Sequence, residues 1–132
     1  MILGLGHDVV DLNGFREQLD APGTQFVSQA FTVGEQRAAQ DGASDTAAHL
    51  GARWAAKEAF IKAWSSMRYG LPPVLGHNPW SDIEVVSDRF GRPKMVLHGP
   101  IAEHVNDSGV RRIFVSMSHD GPFASATVIL EG

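Results

Sequence analysis

Four charged residues, Arg53, Lys57, Glu58 and Lys62, crowd one edge of a stretch that otherwise reads as apolar and helical. A fifth, Asp8, stands near the end of an apolar opening segment beside Gly4 and Gly6. If Asp8 meets Glu58, two carboxylates with room for waters and phosphate oxygens make a hard-cation site of the kind Mg²⁺ favours. Lys62, one helical turn beyond Glu58, is then placed to neutralise the same phosphate. A plainer reading stands beside this one. Glu58 and Lys62 form a surface i,i+4 pair worth about 0.2–0.5 kcal/mol, Arg53 and Lys57 snorkel outward, and Asp8 is a capping or turn-forming carboxylate. Against it stands the accumulation of charge at one helix edge, because partly desolvated charges need partners and often mark a site.

Other chemistries are excluded by what the chain lacks. With no cysteine there is no disulfide, thiolate zinc site or cysteine nucleophile, and a reducing, cytoplasmic setting is expected. Ser116, Ser118 and His119 are neighbours in sequence, but a triad is defined in space and no Gly-x-Ser-x-Gly elbow is present. His119 by itself reads as a histidine at a sheet rim. His7, His49, His77, His98 and His104 show no zinc spacing. Without a Walker loop or a dinucleotide-binding glycine fingerprint, a nucleotide would have to be held by scattered cations and backbone groups. The net charge of −4, from 11 basic and 15 acidic residues that are interspersed, argues against nucleic-acid and membrane-surface binding. No apolar run is long enough to cross a bilayer, and the apolar start lacks the basic lead of a secretory signal.

The elements that must position these residues follow from hydrophobic period. At 132 residues, 43% hydrophobic and 20% charged, the chain is expected to form a single domain over 1–132 that buries roughly two-thirds of its unfolded surface. Residues 2–10 alternate as a strand, with Gly4, Gly6, Asp8 and Val10 on one face. A helical stretch around 12–30 precedes a short helix over 33–40, for which Thr32 and Glu35 form a capping box. Ser44 or Asp45 caps a long helix over 47–67. Its stripe of Leu50, Trp54, Ile61 and Trp64 faces the core. Segments 83–86 and 94–97 flank a turn at Phe90-Gly91-Arg92-Pro93, a short helix covers 100–106, and 113–119 with 123–130 make a terminal hairpin. The order predicts an α+β fold, a mainly antiparallel sheet with the long helix laid against it.

Three segments share one family pattern: Gly6-His7-Asp8-Val9-Val10-Asp11-Leu12, Arg53-Trp54-Ala55-Ala56-Lys57-Glu58-Ala59-Phe60-Ile61-Lys62-Ala63, and Ser116-Met117-Ser118-His119-Asp120. Together they closely resemble bacterial holo-acyl-carrier-protein synthase, the small 4′-phosphopantetheinyl transferase, over nearly the whole chain. The resemblance implies that family's fold and transfer of phosphopantetheine from coenzyme A to a serine of apo acyl carrier protein, with release of adenosine 3′,5′-bisphosphate. It implies Mg²⁺ on Asp8 and Glu58, Lys62 at the coenzyme A pyrophosphate, and Arg53, Lys57 and His119 as further phosphate or nucleotide contacts. It also implies a homotrimer with sites between subunits. Two other classes remain at this stage: a catalytically silent carrier-protein or nucleotide-binding module, and a different Mg²⁺-dependent phosphoryl-transfer or hydrolytic enzyme. The first helical stretch offers only Arg16 as a cation, next to Glu17 and near Asp20, where the family often carries a basic carrier-docking helix.

Overall fold

The computed structural model describes residues 1–42, 45–76 and 78–132. Along the chain run β1 (Ile2–Asp11), α1 (Leu12–Asp20), α2 (Phe26–Ala30), α3 (Val33–Gly42) and α4 (Thr46–Met67). They are followed by a 3-10 turn (Trp80–Asp82), β2 (Ile83–Ser87), β3 (Pro93–Leu97), α5 (Gly99–Asp107), β4 (Arg112–Asp120) and β5 (Phe123–Glu131). The fold is α+β with antiparallel pairing throughout, but the strands divide into two sheets: β1-β5-β4, and a separate β2-β3 hairpin.

Register on the larger sheet decides where the charged residues go. Asp8 lies opposite Ala126, which lies opposite Met117; the next row on the same face joins Val10, Ala124 and His119. Because successive side chains alternate between faces, Gly4, Gly6 and Asp8 of β1 share the face on which α4 rests. The two glycines allow the helix to seat on the strand itself. A Cβ at Gly4 would strike the Ala63 carbonyl, and one at Gly6 the Ala59 carbonyl. Val128 and Leu130 of β5 complete this core with Ala55, Ala56, Phe60 and Trp64.

The other side of α4 is covered as well. Phe15, Ala30, Phe31, Ala39 and Leu50 form a second buried cluster, in which the rings of Phe15, Phe26 and Phe31 meet edge to face. Consequently α4 buries much more than one stripe: Leu50 and Trp64 are buried and Trp54 and Ile61 half-buried, while small residues such as Ala52, Ala59 and Ala63 are buried too. A helix enclosed on both sides has little freedom to turn its charged residues outward.

Local signals behave as their chemistry requires. Thr32 and Glu35 make the reciprocal capping box, Thr32 N donating to Glu35 Oε1 at 2.9 Å and Glu35 N to Thr32 Oγ1 at 3.1 Å. Asp45 caps α4 by accepting from Ala48 N at 3.1 Å; Ser44, the other candidate, lies outside the described residues, as does His77. The stretch at 12–30 is two helices, interrupted after Asp20 where Pro22 precedes Gly23 at φ 71°, a conformation that suits glycine.

Candidate functional site

Asp8 has neither of the local roles that its position allowed, because Asp11 is the N-cap of α1. The Asp8 side chain turns instead to α4. Lys62 Nζ donates to Asp8 Oδ1 at 2.9 Å and to the His7 carbonyl at 3.0 Å. The pair is lopsided in exposure, 15% for the Asp8 side chain and 54% for that of Lys62, so the acid is fixed in the fold and the lysine reaches it from solvent. Thus Lys62 pairs with Asp8 and not with Glu58.

Glu58 lies one turn before Lys62, half-buried, and holds its proton more tightly than an ordinary glutamate. Burial is the main cause, the Asp8 charge adds to it, and Lys62 opposes both. That Asp8 raises Glu58 places the two carboxylates in one electrostatic neighbourhood. Among the described residues no group of three or more His, Asp or Glu side chains forms a ready cation cage. The donor set is two carboxylates, which suits an ion that keeps waters and takes its remaining ligands from substrate phosphate, as Mg²⁺ does.

Arg53 and His119 gather elsewhere. Arg53 is 8% exposed; one guanidinium NH₂ group donates to Ser87 Oγ at 3.2 Å and the other to the His49 carbonyl at 3.3 Å. The His49 imidazole protonates less readily than usual, first through burial and then through the charges of Arg53 and His119. These three are therefore neighbours. Among the described residues Arg53 Nε and His49 Nε2 are buried with no hydrogen-bond partner, an arrangement that costs free energy until a partner arrives. Sequence reasoning missed His49 and Ser87. His49 was legible as the residue one turn before Arg53 on the same helix, whereas Ser87 comes from a different strand and gave no signal.

Winding α4 at about 100° per residue puts Arg53 and His49 roughly 140–180° round the helix from Glu58. Contacts agree with this: Lys62 reaches β1 at one edge of the sheet, while Arg53 reaches the end of β2, and His119 lies on β4, the opposite edge. One chain thus carries a carboxylate flank and a cationic flank that do not face each other.

Lys57 corrects an expectation. A phosphate contact requires a free ammonium, yet Lys57 is fully buried and its Nζ donates to Glu35 Oε1 at 2.7 Å, the Ala30 carbonyl at 2.7 Å and the Trp80 carbonyl at 2.8 Å. An ammonium has three protons, and all are used. Glu35 in turn caps Thr32 and accepts from Val85 N at 2.9 Å. Burial lowers the proton affinity of Lys57, with Glu35 pulling the other way. Lys57 is a fastening between α4 and the layer above it, not a ligand.

A model of the 4′-phosphopantetheinyl transferase superfamily matches residues 4–117. The chain is 51% identical over 130 residues to a holo-acyl-carrier-protein synthase of Mycobacterium ulcerans, covering 98% of this chain and 97% of the relative. Among solved structures it is similar to the ACPS-CoA complex of Chronobacterium ammoniagenes, with TM-score 0.87, 42% identity, and 96% of this chain and 95% of the other covered. It is also similar to the acyl carrier protein synthase of Mycobacterium tuberculosis, with TM-score 0.81, 44% identity, and coverage of 99% and 98%. Motifs, fold and relatives coincide over nearly the full length, and the chain belongs to the 4′-phosphopantetheinyl transferase superfamily, among its holo-acyl-carrier-protein synthases.

Proposed function

We propose that this transferase uses Mg²⁺ held by Asp8 and Glu58 to move the 4′-phosphopantetheine group of coenzyme A onto a serine of apo acyl carrier protein, releasing adenosine 3′,5′-bisphosphate. The observation that carries this is the convergence of Asp8, Glu58 and Lys62 on one flank of α4. The serine oxygen attacks the phosphorus bearing pantetheine, and the bond from that phosphorus to the bridging oxygen breaks. Such a reaction needs charge neutralisation and in-line positioning more than a protein nucleophile. When bound, Mg²⁺ supplies that neutralisation at the pyrophosphate oxygens. Lys62, long and exposed, adds a movable positive charge at the same place. Glu58, or a water held at the same site, takes the serine proton.

Coenzyme A, present in the complex of the Chronobacterium ammoniagenes relative, has phosphates for both flanks. Arg53 and His119, with their half-buried neighbour His49, suit the nucleotide phosphates, and Arg53 Nε, unpartnered among the described residues, supports that use. Since the two flanks diverge within one chain, we assign each site to two copies of a homotrimer. The outer face of the larger sheet supports this assembly. Leu5, Ile129 and Phe114 fall in one cross-strand row, with Leu5 58% and Phe114 45% exposed, an apolar strip of the kind that partners cover. No described helix is long and apolar enough to cross a membrane, and we place the reaction in the cytoplasm with its carrier protein.

Mass spectrometry of an apo acyl carrier protein incubated with coenzyme A and Mg²⁺ tests the reading. The wild-type chain adds one phosphopantetheine mass. Asp8→Ala and Glu58→Ala lower the rate by at least about 10²-fold while their circular dichroism stays that of the wild type. Full activity in both variants removes the carboxylate site.

A further inference from the structure

We propose that Lys62 is a resident counter-ion of the Asp8 carboxylate, which a divalent cation must displace, so that cation and coenzyme A load together rather than independently. The inference rests on Asp8 and Glu58 as the cation-holding pair and goes beyond it by assigning the order in which the site fills.

The geometry is specific. Lys62 Nζ sits 2.9 Å from Asp8 Oδ1 and 3.0 Å from the His7 carbonyl oxygen. It is therefore anchored by two acceptors of β1, one of them on the side chain that would hold the ion. A cation at the Asp8 carboxylate would stand against a positive charge already seated there. Among the described residues there is no third carboxylate or imidazole in the cluster to outbid it. Asp8 is largely enclosed, and the lysine side chain is more than half exposed, so it is Lys62 that can leave. Leaving requires somewhere to go. The pyrophosphate of coenzyme A supplies anionic oxygens both to the cation and to the departing ammonium. The exchange is balanced: Asp8 trades one positive partner for another, and Lys62 trades a carboxylate for a phosphate. With coenzyme A absent, the ammonium competes with the cation; with it present, the ammonium is drawn away. Two ligands that each ease the entry of the other are coupled, and the coupling is reciprocal.

Mn²⁺ binding, read by titration calorimetry and by the electron paramagnetic resonance of the free ion, tests this without turnover. For the wild-type protein, coenzyme A tightens Mn²⁺ binding. For Lys62→Met, Mn²⁺ alone binds roughly fivefold tighter than to wild type, as loss of a competing ion pair allows, and the tightening produced by coenzyme A shrinks accordingly. Lys62→Arg, which keeps the charge, keeps the weak binding of Mn²⁺ alone. Asp8→Asn in the Lys62→Met background abolishes the gain. If Lys62→Met binds Mn²⁺ alone no tighter than wild type, while Asp8→Asn still weakens binding in the presence of coenzyme A, the counter-ion role is wrong and the carboxylate site stands. If Asp8→Asn and Glu58→Gln leave Mn²⁺ binding untouched even with coenzyme A, both readings fall.

Discussion

In the proposed mechanism Glu58 meets two demands that pull against each other. A carboxylate that holds a cation and accepts a proton must be ionised, yet burial and the neighbouring Asp8 charge favour its neutral form. Its folded-state proton affinity is raised above the ordinary glutamate value of 4.5, so the folded protein binds more protons than the unfolded chain as pH rises from that value. Any stability contributed by the neutral acid is present below 4.5 and lost as pH climbs through the folded value. Glu58→Gln is therefore expected to raise the thermal midpoint at pH 7, to lose that advantage below about pH 4.5, and to lose transfer throughout. Parallel melts across pH check the sign, and a variant less stable than wild type at pH 7 contradicts it. The charge at residue scale was visible in the sequence, since Asp8 sat on a core-facing parity and Glu58 at a helix edge. Partner choice was not, because four-residue spacing links Lys62 to Glu58 whereas the fold gives it to Asp8.

Among the elements, α4 was the most legible and also the source of the main correction. Its length, its Asp45 cap and its end near Met67 follow from helix formers without an interrupting proline. Period alone assigns such a helix one buried stripe and lets Lys57 snorkel, but the clusters packed on both sides leave no exit to solvent. That second layer comes from residues 12–42, whose helical signals are short and whose break at Pro22-Gly23 hides how they fold back. The capping glutamate Glu35 then serves as partner to Lys57. Replacing Lys57 with Met leaves a carboxylate enclosed without its cation and is expected to cost about 3–5 kcal/mol. Adding Glu35→Gln removes the uncompensated charge, its single amide oxygen keeping one of the two bonds to Thr32 N and Val85 N, and recovers part of the loss. Urea denaturation of the single and double variants measures both; equal stability of wild type and Lys57→Met removes the fastening role.

At the scale of the molecule, the separation of Asp8, Glu58 and Lys62 from Arg53, His49 and His119 is the reason the proposed site draws on two copies of the chain. Phe114→Lys puts a charge into the apolar strip beside Ile129 and is expected to leave monomers in sedimentation velocity. In those monomers transfer is lost while Mn²⁺ binding at the carboxylate flank persists; an active monomer excludes the shared site. The proposed trimer rests on family likeness, and strand alternation alone does not identify which sheet face lacks a cover, since β1 is apolar on both. Finally, α4 meets β1 through main chain, with the carbonyls of Ala59 and Ala63 lying where side chains of Gly6 and Gly4 would otherwise be. The span between the acid on the strand and the acid on the helix is consequently ruled by peptide atoms, which do not vary in size. Divergent descendants of this chain can exchange aliphatic residues throughout the interior and still inherit the same reach between the two carboxylates, provided two positions never acquire a methyl group.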